Sequence, residues 1–344
     1  MDIKSSMQQN EFPIASVYPV KEIREARTAV IVLNWNNADD TRCCLESLDN
    51  SLVPVIKIVV DNASTDRAIE TVCREIPDTI LINNQENAGF GRGNNVGLKW
   101  ALNNTSASFL MLLNNDASIE PATIQLLEAH LDQNPQIACV TAQIVFADDP
   151  ALVWYGGGEI DWKRGSGSVL NWQRPRETGN VPKPVSFVSG CAMLLRREVL
   201  EEVGGFDPRY FMYEEDVEFS IRLAKSGFRT DYLPQSIVLH RVQGSWRKGN
   251  DPFVTRKSPD NSQLAFFMYH RIKNRLLTMH KHANLAKKLR FAIYFHITLC
   301  YHLLLFLRYG RIDAIQACLR GYQHFLRERR QGYADEINGR IYRQ

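Results

Sequence analysis

Two short acidic motifs have the residue types and spacing that metal and proton chemistry require. The first, Asn114-Asn115-Asp116, directly follows the apolar pair Leu112-Leu113 and contains one ionisable group, Asp116. Mg²⁺ and Mn²⁺ prefer carboxylate, amide and water oxygens, and substrate phosphates often complete their coordination shell. The motif therefore predicts a divalent cation at the end of a strand. A simple turn is the competing interpretation, because Asn and Asp are common where a strand ends.

The second motif, Glu214-Glu215-Asp216, opens a segment with helical spacing. The helix dipole stabilises acids in a first helical turn, which is a purely structural explanation. Three consecutive acids also repel one another, and this repulsion raises the pKa of a carboxyl group towards the range useful to a general base. We therefore expect one of the three to accept a proton. His240, which closes a later apolar run, is a nitrogen donor that could join the cation site.

Residues 87–97 form a glycine-rich loop with the sequence NAGFGRGNNVG. Its four glycines let the backbone approach a ligand closely, and Arg92 can contact a phosphate or a ribose. The string is not GxGxxG, and the first predicted strand-to-helix turn, residues 34–39, contains no glycine. The pattern therefore disfavours a Rossmann-type dehydrogenase or methyltransferase.

Apolar runs and helical segments alternate along the chain and would position these groups. The predicted strands are residues 28–34, 55–60, 79–82, 109–113, 137–145 and 228–239, and the predicted helices are residues 39–50, 66–76, 121–134 and 214–226, with a glycine-rich turn at 89–97 that merges into a helix to Asn103. This alternation predicts a parallel sheet with helices on both faces. Ligands of such sheets bind beyond the carboxyl ends of the strands, so the polar clusters at 34–37, 61–66 and 114–116 should converge. The long connection at 154–184 predicts a substrate-facing loop or a small antiparallel insert.

The composition is typical of an ordinary globular protein. The 344 residues are 44% hydrophobic and 23% charged, enough to bury a sizeable core. Seven cysteines without a CxxC pair indicate a reducing compartment. The net charge of +3 is too small to indicate a polyanion binder, so we expect no nucleic-acid partner. Residues 1–27 show no signal peptide and are predicted to be a flexible leader.

Positive charge is concentrated near the C-terminus. Residues 268–330 contain thirteen Lys or Arg and two acids, a net charge of +11, which leaves −8 for the rest of the chain. Within this segment, residues 291–307 have no formal charge and are bracketed by Arg290 and Arg308. A membrane-spanning helix needs about 20 residues, so this run is at the short limit. Two interpretations stay open: a basic helix lying in the lipid headgroup region, and a helix buried against the rest of the protein.

Seven motifs, in order and spacing, resemble the family 2 inverting glycosyltransferases, especially the bacterial rhamnosyltransferase-like branch. They are LNWNN at 33–37, DNASTD at 61–66, NAGFGRGNN at 87–95, LLNND at 112–116, SGCAMLLRREVLEEVGGFD at 189–207, FMYEEDVEF at 211–219 and LHRVQGS at 239–245. The resemblance covers residues 28–245. It implies the α/β GT-A fold, a mostly parallel sheet flanked by helices, with a catalytic domain at 28–250 and a basic helical C-terminal region at 251–344.

The resemblance also implies roles for individual residues. The implied nucleotide-sugar-binding residues are Asn34, Asp61, Asn62, Asp66, Gly91, Arg92, Asn95 and Asn115, and the implied acceptor-side residues are Gly190, Glu214 and Trp246. The DxD motif of the family is matched at 114–116 with only its last carboxylate retained. Asp116, Asn114 and His240 are therefore the expected ligands of Mg²⁺ or Mn²⁺. Asp216 resembles the general base, and Glu215 is the second choice.

The reaction that the resemblance implies is direct displacement at the anomeric carbon of a nucleoside-diphosphate sugar. The finer expectation is transfer of rhamnose from dTDP-rhamnose to a saccharide or lipid-linked saccharide in O-antigen or other cell-surface polysaccharide synthesis. The basic C-terminal region would then hold a cytoplasmic enzyme against the cytoplasmic face of the inner membrane. A non-catalytic sugar-nucleotide or glycan-binding subunit is the alternative, because the first DxD carboxylate is missing.

Overall fold

The computed structural model describes residues 14–18, 25–179, 181–242 and 262–330. Trp246, expected on the acceptor side, lies outside these residues. The segment Ile14–Tyr18, inside the predicted leader, forms a strand at one edge of the main sheet. The predicted division at residue 250 also falls outside the described ranges and stays a prediction.

One large sheet forms the centre of the described structure. Its strands are β1 (Ile14–Tyr18), β2 (Thr28–Asn34), β3 (Val55–Asp61), β4 (Thr79–Asn84), β5 (Phe109–Asn114), β6 (Ala117–Ile119), β7 (Ile137–Phe146), β8 (Asp149–Tyr155), β11 (Lys183–Val185), β12 (Ala192–Arg196) and β13 (Arg229–His240), and a separate hairpin consists of β9 (Gly158–Asp161) and β10 (Ser166–Val169). The order across the sheet is β1-β4-β3-β2-β5-β12-β7-β13-β11, with β6 paired to β13 and β8 to β7.

Helices cover both faces of this sheet. They are α1 (Ala38–Asp49), α2 (Ala68–Glu75), α3 (Gly89–Asn104), α4 (Thr123–Gln133), α5 (Arg197–Val203), α6 (Glu215–Lys225), α7 (Leu264–His282), α8 (Leu285–Arg308) and α9 (Ile312–Arg330). The side chains of β2 point alternately to the two faces of the sheet. Val30 and Val32 pack in one hydrophobic core with α1, α2 and α4, and Ala29 and Ile31 pack in a second core with α3 and α5. A strand buried on both sides needs an unbroken apolar run, which explains its sequence.

The sheet is mixed. β4, β3, β2 and β5 pair in parallel with one another, as do β7 and β13, and the prediction of a mostly parallel sheet flanked by helices is confirmed. β12 is antiparallel to both β5 and β7, and β1 and β11 are antiparallel to β4 and β13, so the alternation of strands and helices did not predict the direction of these strands. The chain between β7 and β12 contains short strands and loops instead of a crossover helix, and so it enters β12 from the opposite end.

The glycine-rich segment is helical, not a turn. α3 begins at Gly89, eight residues before the predicted helix start. A Cβ atom on Gly97 would lie 2.5 Å from a methyl carbon of Ile31, and one on Gly93 would lie 2.6 Å from Leu33. These glycines therefore let α3 lie close against the sheet, a packing role that the sequence pattern does not distinguish from ligand approach.

The long connection contains a small antiparallel insert, one of the two arrangements predicted for it. β9 and β10 pair antiparallel, with Gly158 opposite Val169. The hairpin lies against the C-terminal helices. Its Gly165 is so close to them that a Cβ atom there would contact Phe291 and Met279. The insert thus joins the sheet to α7 and α8.

Candidate active site

Asp116 and His240 meet where β6, the strand that follows β5 along the chain, pairs with the end of β13. Asp116 follows β5, and His240 is the last residue of β13, where β6 pairs with it and brings Ala117 opposite His240. The His240 Nε2 atom lies 3.1 Å from Asp116 Oδ1, and both side chains are about nine-tenths buried. The backbone N–H of Arg241 donates to the Asp116 carbonyl at 2.9 Å. Side chains 124 residues apart are therefore held in direct contact.

His240 sits in an anionic and aromatic environment. Burial opposes protonation of the imidazole, but Cys191 and Asp116 outweigh burial and raise the pKa of His240 well above its ordinary value. Trp154 of β8 packs edge-on to the imidazole, with ring centroids 4.6 Å apart. These contacts fix the ring and leave its Nε2 edge against the carboxylate.

The donor atoms at this point fit a hard divalent cation. Asp116 supplies a carboxylate, and Asn114, the last residue of β5, supplies an amide oxygen. His240 supplies an imidazole nitrogen only once its Nε2 atom has lost the proton that Asp116 stabilises there. Among the described residues, no cluster of three or more His, Cys, Asp or Glu side chains could hold a metal. A site with so few protein ligands is typical of Mg²⁺ or Mn²⁺, which keep water or bind substrate phosphates in the remaining positions.

Asp216 occupies the first turn of α6 and faces the loop before β12. Its Oδ2 atom accepts a hydrogen bond from the Gly190 N–H at 3.1 Å, and its Oδ1 atom accepts one from the Val217 N–H at 2.9 Å. The pKa of Asp216 is raised to about 6, and burial is the main cause. The hydrogen bond from Gly190 lowers this pKa, and the nearby charge of Glu214 raises it. A carboxylate with this pKa is ionised at neutral pH and is a better proton acceptor than an exposed one.

The two neighbouring acids are placed for other tasks. Burial, reinforced by the charge of Asp216, raises the pKa of Glu215 well above its ordinary value. Glu215 therefore keeps its proton at a pH at which Asp216 is ionised. Glu214 accepts a hydrogen bond from the Arg275 guanidinium at 3.0 Å. The geometry therefore favours Asp216 over Glu215 and Glu214 as the base.

The dipeptide Gly190-Cys191 links Asp216 to the predicted cation ligands. Gly190 donates to Asp216, and the carbonyl of the next residue, Cys191, accepts from the Asn114 N–H at 2.9 Å. Cys191 also lies close enough to His240 to affect its pKa. The predicted base and the predicted cation ligands thus border the same edge of the sheet.

The polar clusters after β2 and β3 form one hydrogen-bonded network. The Asn34 Nδ2 atom donates to Asp61 Oδ1 at 2.8 Å and to Ser64 Oγ at 3.1 Å, and Asn34 Oδ1 accepts from Thr41 at 2.8 Å. Thr41 in turn accepts from Asn115 Nδ2 at 3.1 Å. Asn34 is fully buried with both amide atoms engaged, so it orients Asp61 and Asn115. The network connects the nucleotide-side cluster to the strand end that precedes Asp116.

Several residues expected to bind the nucleotide sugar have structural partners. Asn62 accepts from Ala88 N and donates to Asn87 Oδ1, which fixes the entry to α3. Asn95 makes two hydrogen bonds with the backbone of Phe206, each at 2.8 Å. The Asp66 side chain is exposed and accepts from Ala68 N at the start of α2.

Two residues of α3 complete this group. A Cβ atom on Gly91 would lie 3.1 Å from Phe206, so Gly91 serves close helix packing. Arg92 is half-buried, and desolvation lowers its pKa from the ordinary arginine value. The structure therefore brings the predicted residues to one side of the site but gives most of them a positioning contact.

The sequence analysis missed partners that lie far away along the chain. Ser64 and Thr41 join the Asn34 network, and Ser64 already stands within the DNASTD motif, where its spacing from Asp61 was a usable signal. Phe90 packs against Gly190, where a Cβ atom would lie 2.9 Å from the ring. Asn274 and Arg275 of α7 contact the turn before α6, and no local pattern reveals them.

The mixed sheet, its helices on both faces and the acidic groups at the strand ends define the GT-A class of glycosyltransferases. Residues 26–266 match the family described as glycosyltransferase like family 2. The chain belongs to this family and is a glycosyltransferase, and not a dehydrogenase or a methyltransferase.

Named relatives agree with this assignment. The chain is 28% identical over 223 residues to the N-acetylglucosaminyl-diphospho-decaprenol L-rhamnosyltransferase of Mycobacterium tuberculosis strain H37Rv, covering 58% of this chain and 70% of that one. It is 24% identical over 260 residues to the dTDP-rhamnosyl transferase RfbF of Shigella flexneri, covering 73% and 82%. The fold is similar to that of mannosyltransferase PcManGT from Pyrobaculum calidifontis, solved with GDP-Man and Mn²⁺, with a TM-score of 0.50 and 16% identity over 94% of this chain and 91% of that one.

Proposed function

We propose that this chain is an inverting rhamnosyltransferase that uses dTDP-rhamnose and extends a saccharide or lipid-linked saccharide for a cell-surface polysaccharide. Two relatives support the donor sugar, because both are named as rhamnosyl transferases and one name specifies dTDP-rhamnosyl. The name of the mycobacterial relative specifies a diphospho-decaprenol acceptor, which supports a lipid-linked substrate. The observation that carries the catalytic assignment is the contact between Asp216 and the Gly190–Cys191 segment beside Asp116.

Asp216 is the proposed general base. Its carboxylate would take the proton of the acceptor hydroxyl while the hydroxyl oxygen attacks the anomeric carbon from the side opposite the diphosphate. One carboxylate is sufficient, because a direct displacement forms no covalent sugar–enzyme intermediate. Inversion at the anomeric carbon follows from this geometry of attack.

Asp116, His240 and Asn114 are the proposed ligands of Mg²⁺ or Mn²⁺. A bound divalent cation supplies positive charge next to the diphosphate, where negative charge develops as the bond to the sugar breaks. Asp61, oriented by Asn34 and Ser64, is the proposed nucleoside contact. The donor would therefore lie along the edge formed by β3, β2 and β5.

The test is a transfer assay with purified protein, Mn²⁺ and a panel of nucleotide sugars, with and without a membrane extract as acceptor source. Asp216→Asn should lower kcat by about 10²–10⁴-fold, the range typical of a lost general base. Asp116→Ala should abolish activation by Mn²⁺. Asp132→Asn, which alters a surface carboxylate paired with Arg27, is the matched control and should retain activity. Full activity of Asp216→Asn would refute the base, and transfer from another donor would refute dTDP-rhamnose.

We also propose that α8 lies on the cytoplasmic face of the inner membrane, where a lipid-linked acceptor is located. α8 is long and apolar enough to cross a membrane, since the mean hydropathy of its most apolar window is 1.5. Only 17% of that window is buried inside the protein. Its exposed apolar residues are Leu285, Leu289, Ile293, Ile297, Tyr301, Leu304 and Leu307. Burial against the protein therefore does not account for this helix. Exposed Arg290 and Arg308 bracket the apolar surface and would attract anionic headgroups.

Cosedimentation with phosphatidylglycerol–phosphatidylcholine vesicles tests the membrane contact. The double variant Ile293→Ser, Ile297→Ser should bind these vesicles at least several-fold more weakly than the wild type. Leu52→Ser, Val181→Ser removes two exposed apolar side chains elsewhere and should bind normally. Equal binding by both variants would overturn the proposal.

A further inference from the structure

The turn that leads into α6 has two consecutive residues in the left-handed backbone region. Tyr213 has φ 69° and Glu214 has φ 68°, and neither is glycine. A residue with a side chain is strained in this region and persists there only where the surroundings hold it. The turn ends at Glu215, where α6 begins, one residue before Asp216. Its conformation therefore determines where the carboxylate of Asp216 points.

Asn274, in the middle of α7, holds this turn from sixty residues further along the chain. Its Nδ2 atom donates to the carbonyls of Met212 at 2.9 Å and Tyr213 at 2.7 Å, and the side chain is completely buried. The opposite amide orientation would direct Oδ1 at two carbonyl oxygens, so the hydrogen bonds define the orientation. Arg275, the next residue, pairs with Glu214 and extends the contact by one residue.

The same turn is connected to the other side of the site. The Phe90 N–H donates to the Phe211 carbonyl, and Phe90 packs against Gly190, whose N–H donates to Asp216. If the turn relaxed, the first turn of α6 would shift relative to Gly190. The hydrogen bond that stabilises the ionised form of Asp216 would then weaken.

We propose that Asn274 is a positioning residue for catalysis: it clamps the 212–214 turn and so aligns Asp216 with the Gly190 N–H and the acceptor hydroxyl. The inference rests on the proposed role of Asp216 as the base. It goes beyond that role by assigning part of the catalytic geometry to a helix of the basic C-terminal region.

The experiment compares Asn274→Ala with Thr278→Val in the full-length protein. Thr278 lies one turn further along α7 and is equally buried, and its hydroxyl bonds the Tyr210 hydroxyl at 2.8 Å. Both variants lose buried hydrogen bonds, but only Asn274→Ala releases the turn. Asn274→Ser, which retains one hydroxyl donor, is the milder second variant if Asn274→Ala does not fold. Melting temperature, kcat, donor KM and the pH dependence of kcat/KM are measured for each.

Asn274→Ala should lower kcat by about 100-fold, the effect of a misplacement of about 1 Å, with donor KM unchanged. The acid limb of kcat/KM should move to higher pH, because the Gly190 hydrogen bond lowers the pKa of Asp216. Asn274→Ser should give an intermediate effect, and Thr278→Val should keep the wild-type kcat and acid limb despite a lower melting temperature.

Two results would contradict the proposal, and each contradicts a different part of it. If both Asn274 variants match Thr278→Val in kcat and acid limb, Asn274 is only structural and the inference is overturned, provided that Asp216→Asn is inactive. If Asp216→Asn is fully active, the proposed base itself is wrong, and the two failures are thereby distinguished.

Discussion

At the scale of single residues, the surroundings of Asp216, the proposed base, set the pH range that we expect for the reaction. The raised pKa of about 6 means that the carboxylate is protonated, and unable to accept a proton, below pH 6. The nearby titratable groups are Glu214 and Glu215 on its own turn, Tyr155 of β8, and Cys191 before β12. Tyr155 and Cys191 have pKa values raised by burial, so both are neutral at pH 6. Asp216 is therefore the group expected to control the acid side.

We predict that kcat/KM falls about tenfold for each pH unit below pH 6 and is level just above it. The measurement is an initial-rate profile between pH 4.5 and 8 at saturating Mn²⁺. An acid limb near pH 4, the value of an ordinary exposed carboxyl group, would contradict the assignment. Thermal unfolding at each pH separates loss of catalysis from loss of structure.

At the scale of elements, α3 shows that a glycine-rich motif can serve packing as well as ligand approach. Gly97 brings the helix so close to β2 and β3 that a Cβ atom would lie 2.5 Å from Ile31 and 2.9 Å from Val60. Because the methyl groups of β-branched residues cannot swing away easily, the space is closed to any larger side chain. The helix that supplies Arg92 and Phe90 to the site is thus positioned by a backbone contact.

Gly97→Val should destabilise the protein by about 1–3 kcal/mol, the usual cost of overpacking a core. Gly179→Val is the control, because a Cβ atom at Gly179 would meet nothing within 4 Å, and its effect should stay within about 0.5 kcal/mol. Urea unfolding of both variants measures the difference. Equal stability of the two would show that α3 can shift away from the sheet at no cost.

At the scale of the whole molecule, buried charges join α7 to the catalytic part. Lys281 donates to Asp207 and to Glu218, and His282 also contacts Glu218 at 2.9 Å. Burial alone would raise the pKa of Glu218, but Arg222, His282 and Lys281 together hold it far below its usual range. Because the folded-state pKa is depressed, this contribution to stability is present above about pH 4.5 and is lost as the pH falls.

Lys281→Met should lower the free energy of unfolding by about 1.5–3 kcal/mol, because it removes charged hydrogen bonds to two buried carboxylates that keep Arg209, Arg222 and His282 as partners. Lys183→Met is the matched control: it removes a half-exposed lysine paired with Glu177 and should cost less than about 1 kcal/mol. Chemical denaturation at pH 7 measures both. A small effect of Lys281→Met would mean that α7 contributes little to holding the catalytic part together.

Local sequence by itself determined the buried strands β2, β3, β4, β5, β7 and β13, most of the helices and the groups that can do chemistry. The apolar runs of β2, β3 and β5 indicate strands that are buried on both faces of the sheet. The polar residues that follow these runs mark the edge of the sheet at which ligands bind. Asp116 and His240 were therefore identifiable as candidates from their positions after apolar runs, and Asp216 from the acidic triplet that opens a helical segment. The prediction that residues 291–307 are helical is also confirmed within α8.

Only the tertiary structure decided how these groups meet. The contact of Asp116 with His240 depends on the pairing of β6 with β13, and the antiparallel direction of β12 depends on a connection without a crossover helix. The clamp of Asn274 on Tyr213 and the exposure of α8 likewise arise between segments distant in sequence. Local patterns report which face of an element is apolar, whereas partner choice is set by the free energy of packing the whole chain. That quantity depends on all segments at once, and so no single motif contains it.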